Sequence, residues 1–319
     1  MNASHNEIER RPGPFAIFGA MAAIVLIWAV NFPIGKVGLM RVPTMAMAAF
    51  RVVTSALTMI PVYFASRAGK PRQRYSGREI WTFAYLGFSL VVINQGCFTV
   101  GLAYTTVGHS SMVIAAGPIF ILALARAMRL EPLTALKIVG MALAFAGVTL
   151  LALENGRSLH SSTLAGDLLT LTGSLGYAFY TVLGKSVAAR YPAIEMTALN
   201  CFFGGAVALP VAIREAIVLT RSGGWSGIGW TGWGAMFYMA IFSSVIAYTL
   251  YFWTLRYVSA SRMGSLNYLQ PLIAAALGIF LLGEHLTPSV AAGGALILTG
   301  VYAIERRDAE AIPRTDPSA

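Results

Sequence analysis

The sequence has few charged side chains. Its 319 residues include 23 Lys and Arg and 13 Asp and Glu, which together make up 11% of the chain. Soluble domains carry about 25% charged residues, so this composition excludes an ordinary soluble enzyme. No charged residue occurs in the 46 positions from Ile80 to Ala125, although about 20 apolar residues are enough for a helix to cross a membrane. The chain is predicted to be a polytopic membrane protein.

The sequence also lacks residues that several chemistries need. Two cysteines, Cys97 and Cys201, lie in apolar runs and indicate neither a disulfide framework nor a metal cluster. No phosphate-binding loop is present, so we expect no direct use of ATP. Every acidic residue falls at or beyond the end of a predicted helix, which leaves no intramembrane carboxylate for metal binding, transfer chemistry or a proton relay. We therefore expect no enzyme activity, no cofactor and no metal.

Hydropathy divides the chain into ten predicted transmembrane helices, bounded by charges, prolines and glycine-rich turns. They cover about residues 15–38, 43–66, 80–101, 106–128, 133–153, 166–188, 194–216, 232–255, 262–282 and 288–305. Backbone groups in lipid must be paired within the spanning structure, and the sequence shows no alternation of polar and apolar residues typical of barrel strands. The predicted fold class is therefore an all-α integral membrane protein.

The basic residues predict the orientation. With the N-terminus in the cytoplasm, 17 of the 23 Lys and Arg fall on cytoplasmic segments, 5 fall outside and Arg51 lies within a span. This bias obeys the positive-inside rule and places both termini in the cytoplasm. The net charge of +10 is then a topology signal and a contact with anionic lipid headgroups, rather than a sign of nucleic-acid binding.

The two halves of the sequence resemble each other. Tyr104, Pro118, Glu131, Leu133, Thr134 and Gly140 match Tyr257, Pro271, Glu284, Leu286, Thr287 and Gly293 at an offset of 153, and Gly35 and Lys36 match Gly184 and Lys185 at an offset of 149. The two units have five helices each, so the second enters the membrane from the opposite side. Inverted repeats of this kind are typical of secondary transporters, in which two halves open alternately to each side.

The predicted organisation has five parts. They are a cytoplasmic tail at 1–14, a first repeat at 15–153, an external linker at 154–165, a second repeat at 166–305 and a second cytoplasmic tail at 306–319. Spans 5 and 10 are rich in small residues, such as Gly140 with Ala144 and Ala291 with Ala295, which suits close helix contact. They either pack the two halves together or form a dimer face, so the chain is a monomer or a homodimer.

Several motifs resemble those of the EamA family of the drug/metabolite transporter superfamily. They are the run from Trp28 through Asn31, Pro33 and Gly35 to Lys36; Arg51; Pro118 with Glu131-Pro-Leu-Thr134; Tyr268-Leu-Gln-Pro271; and Leu-Gly-Glu284-His-Leu-Thr287. The likeness covers about residues 15–305. It implies a bacterial inner-membrane carrier that exports amino acids or related metabolites through a cavity lined mainly by spans 1, 3, 4, 6, 8 and 9. Gln270 departs from the family pattern, which often has Glu there, and this weakens carboxylate-linked proton coupling.

The candidate substrate-binding residues are the neutral polar and aromatic side chains near the middle of the predicted spans. They are Trp28, Asn31, Asn94, Gln95, Ser111, Tyr177, Tyr180, Thr181, Tyr248, Asn267, Tyr268 and Gln270. Hydroxyls and amides can bind a zwitterion by hydrogen bonds, and aromatic rings can bind its ammonium group by cation–π contact. The alternative for each is packing or hydrogen bonding between helices.

Other residues suggest movement or structure. Pro118 and Pro271 each remove a backbone donor at mid-span, which predicts a kink and a hinge, or else a static bend. Lys36 and Lys185 end matching spans, where they either act as paired gates or extend to the headgroups. Arg51 is expected to bind backbone carbonyls and helix ends as a structural charge, with capture of a substrate carboxylate as the alternative.

These features together predict a secondary transporter of the cell inner membrane. It would export a small metabolite, an amino acid or a related zwitterion or amine, by alternating access, as a uniporter or an exchanger. The alternatives are a proton-coupled drug or metabolite antiporter, for which His109 is the titratable group to test, a sugar-phosphate or nucleotide-sugar carrier, an integral membrane transferase, and a scaffold or receptor that transports nothing.

Overall fold

The protein is a bundle of helices. A computed structural model describes residues 12–70, 73–128, 134–154, 162–188, 190–258, 263 and 269–310, and these contain no strand. The helices are α1 (Pro14–Leu39), α2 (Thr44–Arg67), α3 (Gly77–Tyr104), α4 (Val107–Ala127), α5 (Ala135–Glu154), α6 (Ser162–Ala188), α7 (Ala193–Ser222), α8 (Trp225–Tyr257), α9 (Leu269–Leu282) and α10 (Pro288–Glu310). The predicted all-α fold is confirmed.

Six of these helices, α1 to α4, α7 and α8, are long and apolar enough to cross a membrane. Shorter apolar stretches lie at Ile138–Gly147, Leu269–Leu282 and Pro288–Gly300. A full set of ten transmembrane helices therefore remains a prediction.

Local sequence signals set where several helices begin and end. Pro43 is the N-cap of α2 and Pro192 is the N-cap of α7. Proline disfavours helical backbone at the residue before it, so each helix begins after its proline. Ser76 and Glu79 form a capping box at the start of α3, where each side chain binds the other residue's backbone N–H. Gly223 ends α7 with φ of 67°, a left-handed conformation that glycine adopts without strain.

Contacts between the helices follow the repeat. The first helix of each half packs against the third and fourth helices of the other half, so α1 contacts α8 and α9 while α6 contacts α3 and α4. The second helices, α2 and α7, pack together, and so do the fifth helices, α5 and α10. The two halves thus interlock, and the middle of the bundle is built from both.

Glycine allows α5 and α10 to approach closely. A Cβ atom on Gly147 would lie 2.5 Å from the carbonyl oxygen of Gly293, and a Cβ atom on Gly300 would collide with the carbonyl oxygen of Gly140. Small residues at such positions let helix backbones touch. In this structure the small-residue faces pack the two halves of one chain together.

Three helices are interrupted. In α3 the segment Phe88–Gly96 is a π-helix, and in α8 so is Tyr238–Ile246. In α4 the regular α-helix stops at Ala115 and resumes at Gly117, directly before Pro118. The missing N–H of proline accounts for a break at this place, while a kink that acts as a hinge stays a prediction. The matching region before Pro271 lies outside the described residues.

Lys36 and Lys185 form equivalent hydrogen bonds to backbone carbonyls in the two halves. Lys36 Nζ donates to the carbonyl oxygens of Leu102 and Thr105, at 2.9 and 2.5 Å, where α3 ends. Lys185 Nζ donates to the carbonyls of Leu255 and Val258, at 2.5 and 2.6 Å, where α8 ends. Neither lysine extends outward in the way that binding to lipid headgroups requires. Each cation instead satisfies carbonyls that have no partner at a helix C-terminus.

Candidate functional site

A cavity lies in the middle of the bundle, between the two halves. It holds about 520 Å³ of space unoccupied by protein atoms, including the part continuous with the surroundings. Its lining is made of Trp28, Asn31, Phe32, Arg51, Asn94, Gln95, Phe98, Ile114, Ser174, Tyr177, Ser243, Tyr248 and Gln270. These residues come from α1, α3, α4, α6, α8 and α9, with Arg51 of α2 in addition.

One side of the cavity is aromatic. The ring of Trp28 lies 6.2 Å from that of Tyr177 in an edge arrangement and 5.1 Å from that of Tyr248. The indole Nε1–H of Trp28 donates to the carbonyl of Ser243 at 3.2 Å, which ties α1 to α8 and fixes the ring plane. The rings of Trp28 and Tyr177 therefore form a preset aromatic wall.

A second side is lined by amides. The Tyr248 hydroxyl donates to Asn94 Oδ1 at 2.9 Å, and Asn94 Nδ2 donates to the carbonyl of Gly173 at 3.0 Å. Asn94 and Gln95 lie on the π-segment of α3, and Ser243 lies on the π-segment of α8. π-turns are rare and frequently mark functional sites, because they rotate side chains out of the regular helical register.

Arg51 is the charged residue of the lining and is 2% exposed. Its guanidinium donates to Thr99 Oγ1 at 3.0 Å and to Ser244 Oγ at 3.1 Å. Ser244 Oγ in turn lies 2.8 Å from Gln95 Oε1. These partners are neutral side-chain hydroxyls, so they correct the expectation that Arg51 binds backbone carbonyls and helix ends.

The structure brings many of the sequence candidates together. Trp28, Asn31, Asn94, Gln95, Tyr177, Tyr248 and Gln270 all line the cavity. Ser111 instead donates to the carbonyl of Gly108, Thr181 shares a hydrogen bond of 2.9 Å with Tyr251, and Tyr180 is buried in the surrounding core. Asn267, Tyr268 and Glu131 lie outside the described residues.

Five of the lining residues are not among the substrate-binding candidates from the sequence. They are Phe32, Phe98, Ile114, Ser174 and Ser243. Ser174 precedes Tyr177 by one helical turn on α6, so helical spacing alone could have added it. The apolar residues carry no comparable signal, since a phenylalanine in a membrane helix is equally suited to lipid.

Polar residues also meet at the end of the bundle that the charge distribution assigns to the outside. His109 Nδ1 lies 3.2 Å from Asp167 Oδ2, and the Thr105 hydroxyl donates to Asp167 Oδ1 at 2.7 Å. Asp167 is 4% exposed. The prediction that acidic residues stay at helix ends is therefore wrong for Asp167. Helix α6 begins at Ser162, earlier than predicted, and this places Asp167 within it, facing His109.

At the same end, Glu284 of the second half binds the N-terminus of α4 in the first half. Its Oε1 accepts the backbone N–H of Val107 at 2.8 Å, and its Oε2 accepts that of Gly108 at 3.1 Å. A helix N-terminus leaves such donors without partners and favours a negative charge. Gly283, with φ of 66°, makes the turn that presents the carboxylate.

A second polar cluster lies at the opposite end of the bundle. Glu195, at the start of α7, accepts from Arg67 at 3.0 Å and from the Tyr75 hydroxyl at 2.6 Å. The Tyr191 hydroxyl donates to Glu79. Burial raises the pKa of the Tyr75 hydroxyl, and the hydrogen bond to Glu195 raises it further, so this group stays a neutral donor. Burial likewise raises the pKa of Tyr191 to about 12.

Over the described ranges, no three His, Cys, Asp or Glu side chains form a group that could hold a metal ion. Cys97 and Cys201 are free thiols.

Curated relatives resemble the chain along most of its length. An uncharacterised transporter of Archaeoglobus fulgidus is 28% identical over 88% of this chain and 94% of its own. The uncharacterised inner membrane transporter YedA of Escherichia coli is 28% identical over 85% of this chain and 84% of its own. A probable amino-acid metabolite efflux pump of Salmonella typhimurium is 27% identical over 88% of this chain and 91% of its own.

A solved crystal structure, 16% identical in sequence, matches 93% of this chain and 99% of its own with a TM-score of 0.60, which supports the fold. The model of the EamA-like transporter family matches residues 15–153 and again 164–306. The two matches together cover nearly the whole chain, with one copy in each half. The resemblance seen in the sequence is thereby confirmed, and the protein belongs to the EamA-like transporter family, as a multi-pass transporter of the membrane.

Proposed function

We propose that the protein is a secondary carrier that exports an amino acid or a related small zwitterion across the inner membrane by alternating access. The observation that carries this proposal is the central cavity, which both halves build and whose described lining is aromatic and amide-rich and includes one cation, Arg51. Such a surface suits a small molecule with an apolar side chain and few charges. The Salmonella relative named as a probable amino-acid metabolite efflux pump supports the substrate class.

Alternating access needs two ends that can open in turn, and in this bundle a polar contact joins the two halves at each end. Glu284 links the second half to α4 of the first half at one end. Arg67 of α2 binds Glu195 of α7, again across the two halves, at the other end. Because both contacts join the halves, releasing one would open the cavity on that side. The inverted arrangement of the repeats and the cytoplasmic position of both termini belong to the same proposal.

The energy source is proposed to be the substrate gradient, in uniport or exchange. Among the described lining residues of the cavity there is no carboxylate. The sequence alternative of proton coupling has one observation in its favour, which is the buried pair of His109 and Asp167. That pair lies away from the lining and binds Thr105 as well, so we assign it to holding α3, α4 and α6 together.

Counterflow in proteoliposomes tests the function. Vesicles loaded with one unlabelled amino acid from a panel should accumulate the same labelled amino acid, and empty vesicles should not. Failure of the whole panel, in protein that remains folded, would contradict the proposal.

The same assay separates the two coupling modes. We expect the initial rate to be unchanged by a pH gradient, both in the wild type and in the Asp167→Asn variant. A gradient that stimulates the wild type several-fold, together with loss of that stimulation in Asp167→Asn, would establish the proton-coupled antiporter instead.

A further inference from the structure

Arg51 holds a charge that its surroundings do not balance. The side chain is 2% exposed, and its two hydrogen bonds go to the neutral hydroxyls of Thr99 and Ser244. Across the part of the chain that the structure describes, no ion pair involves Arg51, and its Nε–H has no hydrogen-bond partner. Burying an ion without a counter-charge is unfavourable, so a residue of this kind in a membrane helix points to a function.

The second half of the chain has a neutral residue at the position equivalent to Arg51. Arg51 is the eighth residue after Pro43, and the eighth residue after Pro192 is Asn200. Asn200 is completely buried in α7, which packs against α2. One half thus places a neutral amide where the other half places a guanidinium. Asn200 is absent from the described lining of the cavity, whereas Arg51 belongs to it.

One further polar atom of the lining, the acceptor Asn31 Oδ1, is buried and has no hydrogen-bond partner among the described residues. The cavity therefore combines a cationic donor with a neutral acceptor and the aromatic face of Trp28. An acceptor and a π-face both favour an ammonium group, while a planar guanidinium favours a carboxylate.

We propose that Arg51 binds the carboxylate of the transported molecule and makes the carrier selective for α-amino acids over the corresponding amines. Asn31 and Trp28 receive the ammonium group and the side chain. The inference rests on the proposed transport function and deepens it. The carboxylate supplies the counter-charge that the described residues around Arg51 do not supply, so a ligand without it leaves the guanidinium unbalanced.

Counterflow with matched ligands tests the inference. Leucine, phenylalanine and valine are each compared with the amine that lacks the carboxylate and with the amide that neutralises it. In the wild type we expect at least one amino acid to drive exchange at least about tenfold faster than its amine and its amide. In Arg51→Gln this preference should fall to near unity, and Arg51→Lys should keep part of it, because lysine keeps the charge but loses the bidentate geometry.

The wild-type ligand series can overturn the proposal even if the variants fold poorly, and thermal unfolding in detergent shows whether they do. Exchange of amines or amides at rates equal to those of the amino acids would overturn the role of Arg51 and leave the carrier function standing. The same holds if folded Arg51→Gln keeps the full preference. Exchange of none of the ligands would count against the proposed function itself.

Discussion

Single residues of the cavity differ in how firmly they are held. Asn94 is fixed at both ends of its amide, by Tyr248 and by the carbonyl of Gly173. Asn31 Oδ1, by contrast, has no hydrogen-bond partner among the described residues. A fixed amide offers a constant geometry to a substrate, while an unsatisfied group gains a hydrogen bond only when the substrate is present. Both kinds favour binding at this place.

The hydroxyl of Tyr248 is therefore expected to matter for binding. Tyr248→Phe removes the donor to Asn94 Oδ1 and leaves that amide held only by the carbonyl of Gly173. We expect KM to rise by about three- to tenfold, which corresponds to the loss of one hydrogen bond, with a smaller change in maximal rate. Initial rates of counterflow at varied substrate concentration measure both quantities.

Tyr238→Phe is the matched control for this variant. Tyr238 also lies on the π-segment of α8, but its hydroxyl donates to the carbonyl of Ile27 and it does not line the cavity as described. Its KM should stay close to that of the wild type. Equal KM values for Tyr248→Phe and the wild type would remove Tyr248 from the site.

The sequence could indicate these residue types but not their partners. Depth in a predicted span selects Trp28, Asn31 and Tyr177, because polar and aromatic groups at mid-depth tend to face a cavity or another helix. The same criterion selects Ser111 and Thr181, which bind other protein groups. Depth does not say which way a helix is rotated, and only packing against the other half decides that.

At the scale of the helices, three interruptions lie beside the cavity. The π-segments of α3 and α8 carry Asn94 and Ser243, and the break in α4 lies next to the lining residue Ile114. Irregular backbone in a membrane protein is tolerated where it faces protein or a cavity. Such places also bend with less loss of hydrogen bonds than a regular helix, which suits a hinge.

Restoring a regular helix in α4 should slow transport. Pro118→Ala supplies the missing N–H, and the straightened helix would resist the bending that alternating access needs. We expect the maximal counterflow rate to fall by about threefold or more, with expression retained. Pro61→Ala is the control, since Pro61 lies within α2, which continues through it without interruption. Equal rates for both variants and the wild type would show that the bend is static.

The contact of α5 with α10 should be intolerant of added volume. Gly147→Ala places a methyl group 2.5 Å from the carbonyl oxygen of Gly293, so the helices must move apart. We expect a loss of about 1–3 kcal/mol in unfolding free energy, measured by thermal unfolding in detergent. Gly19→Ala in α1 adds the same methyl group where no atom lies within 4 Å and should not destabilise the protein. An unchanged melting temperature for Gly147→Ala would argue against this packing.

Helix positions were largely within reach of the sequence, whereas their irregularities were not. Charges, prolines and glycines mark where the chain leaves an apolar run, so α1, α2 and α4 begin and end close to the predicted bounds. In α4, Pro118 indicated where the break would fall. No residue type specifies a π-turn, so the sequence carries no signal for the two π-segments.

In the whole molecule, the two halves pack against each other through equivalent helices. Each first helix packs on the third and fourth helices of the other half, so neither half can enclose a cavity alone. The repeat in the sequence predicted two similar units, and family matches fall on both. The repeat could not predict how the two halves pack together, because an offset between matching residues does not show which surfaces are in contact. Contacts of Glu284 and Glu195 then join the halves at opposite ends.

The shared cavity is proposed to be reached alternately from the two sides of the membrane, and the accessibility of a cysteine in its wall tests this. Ser174→Cys would be placed in a chain with Cys97 and Cys201 replaced by serine, and an impermeant thiol reagent would be applied to one side of oriented vesicles at a time. We expect modification from each side, with both rates reduced by transported substrate. Modification from one side only, under all substrate conditions, would rule out alternating access.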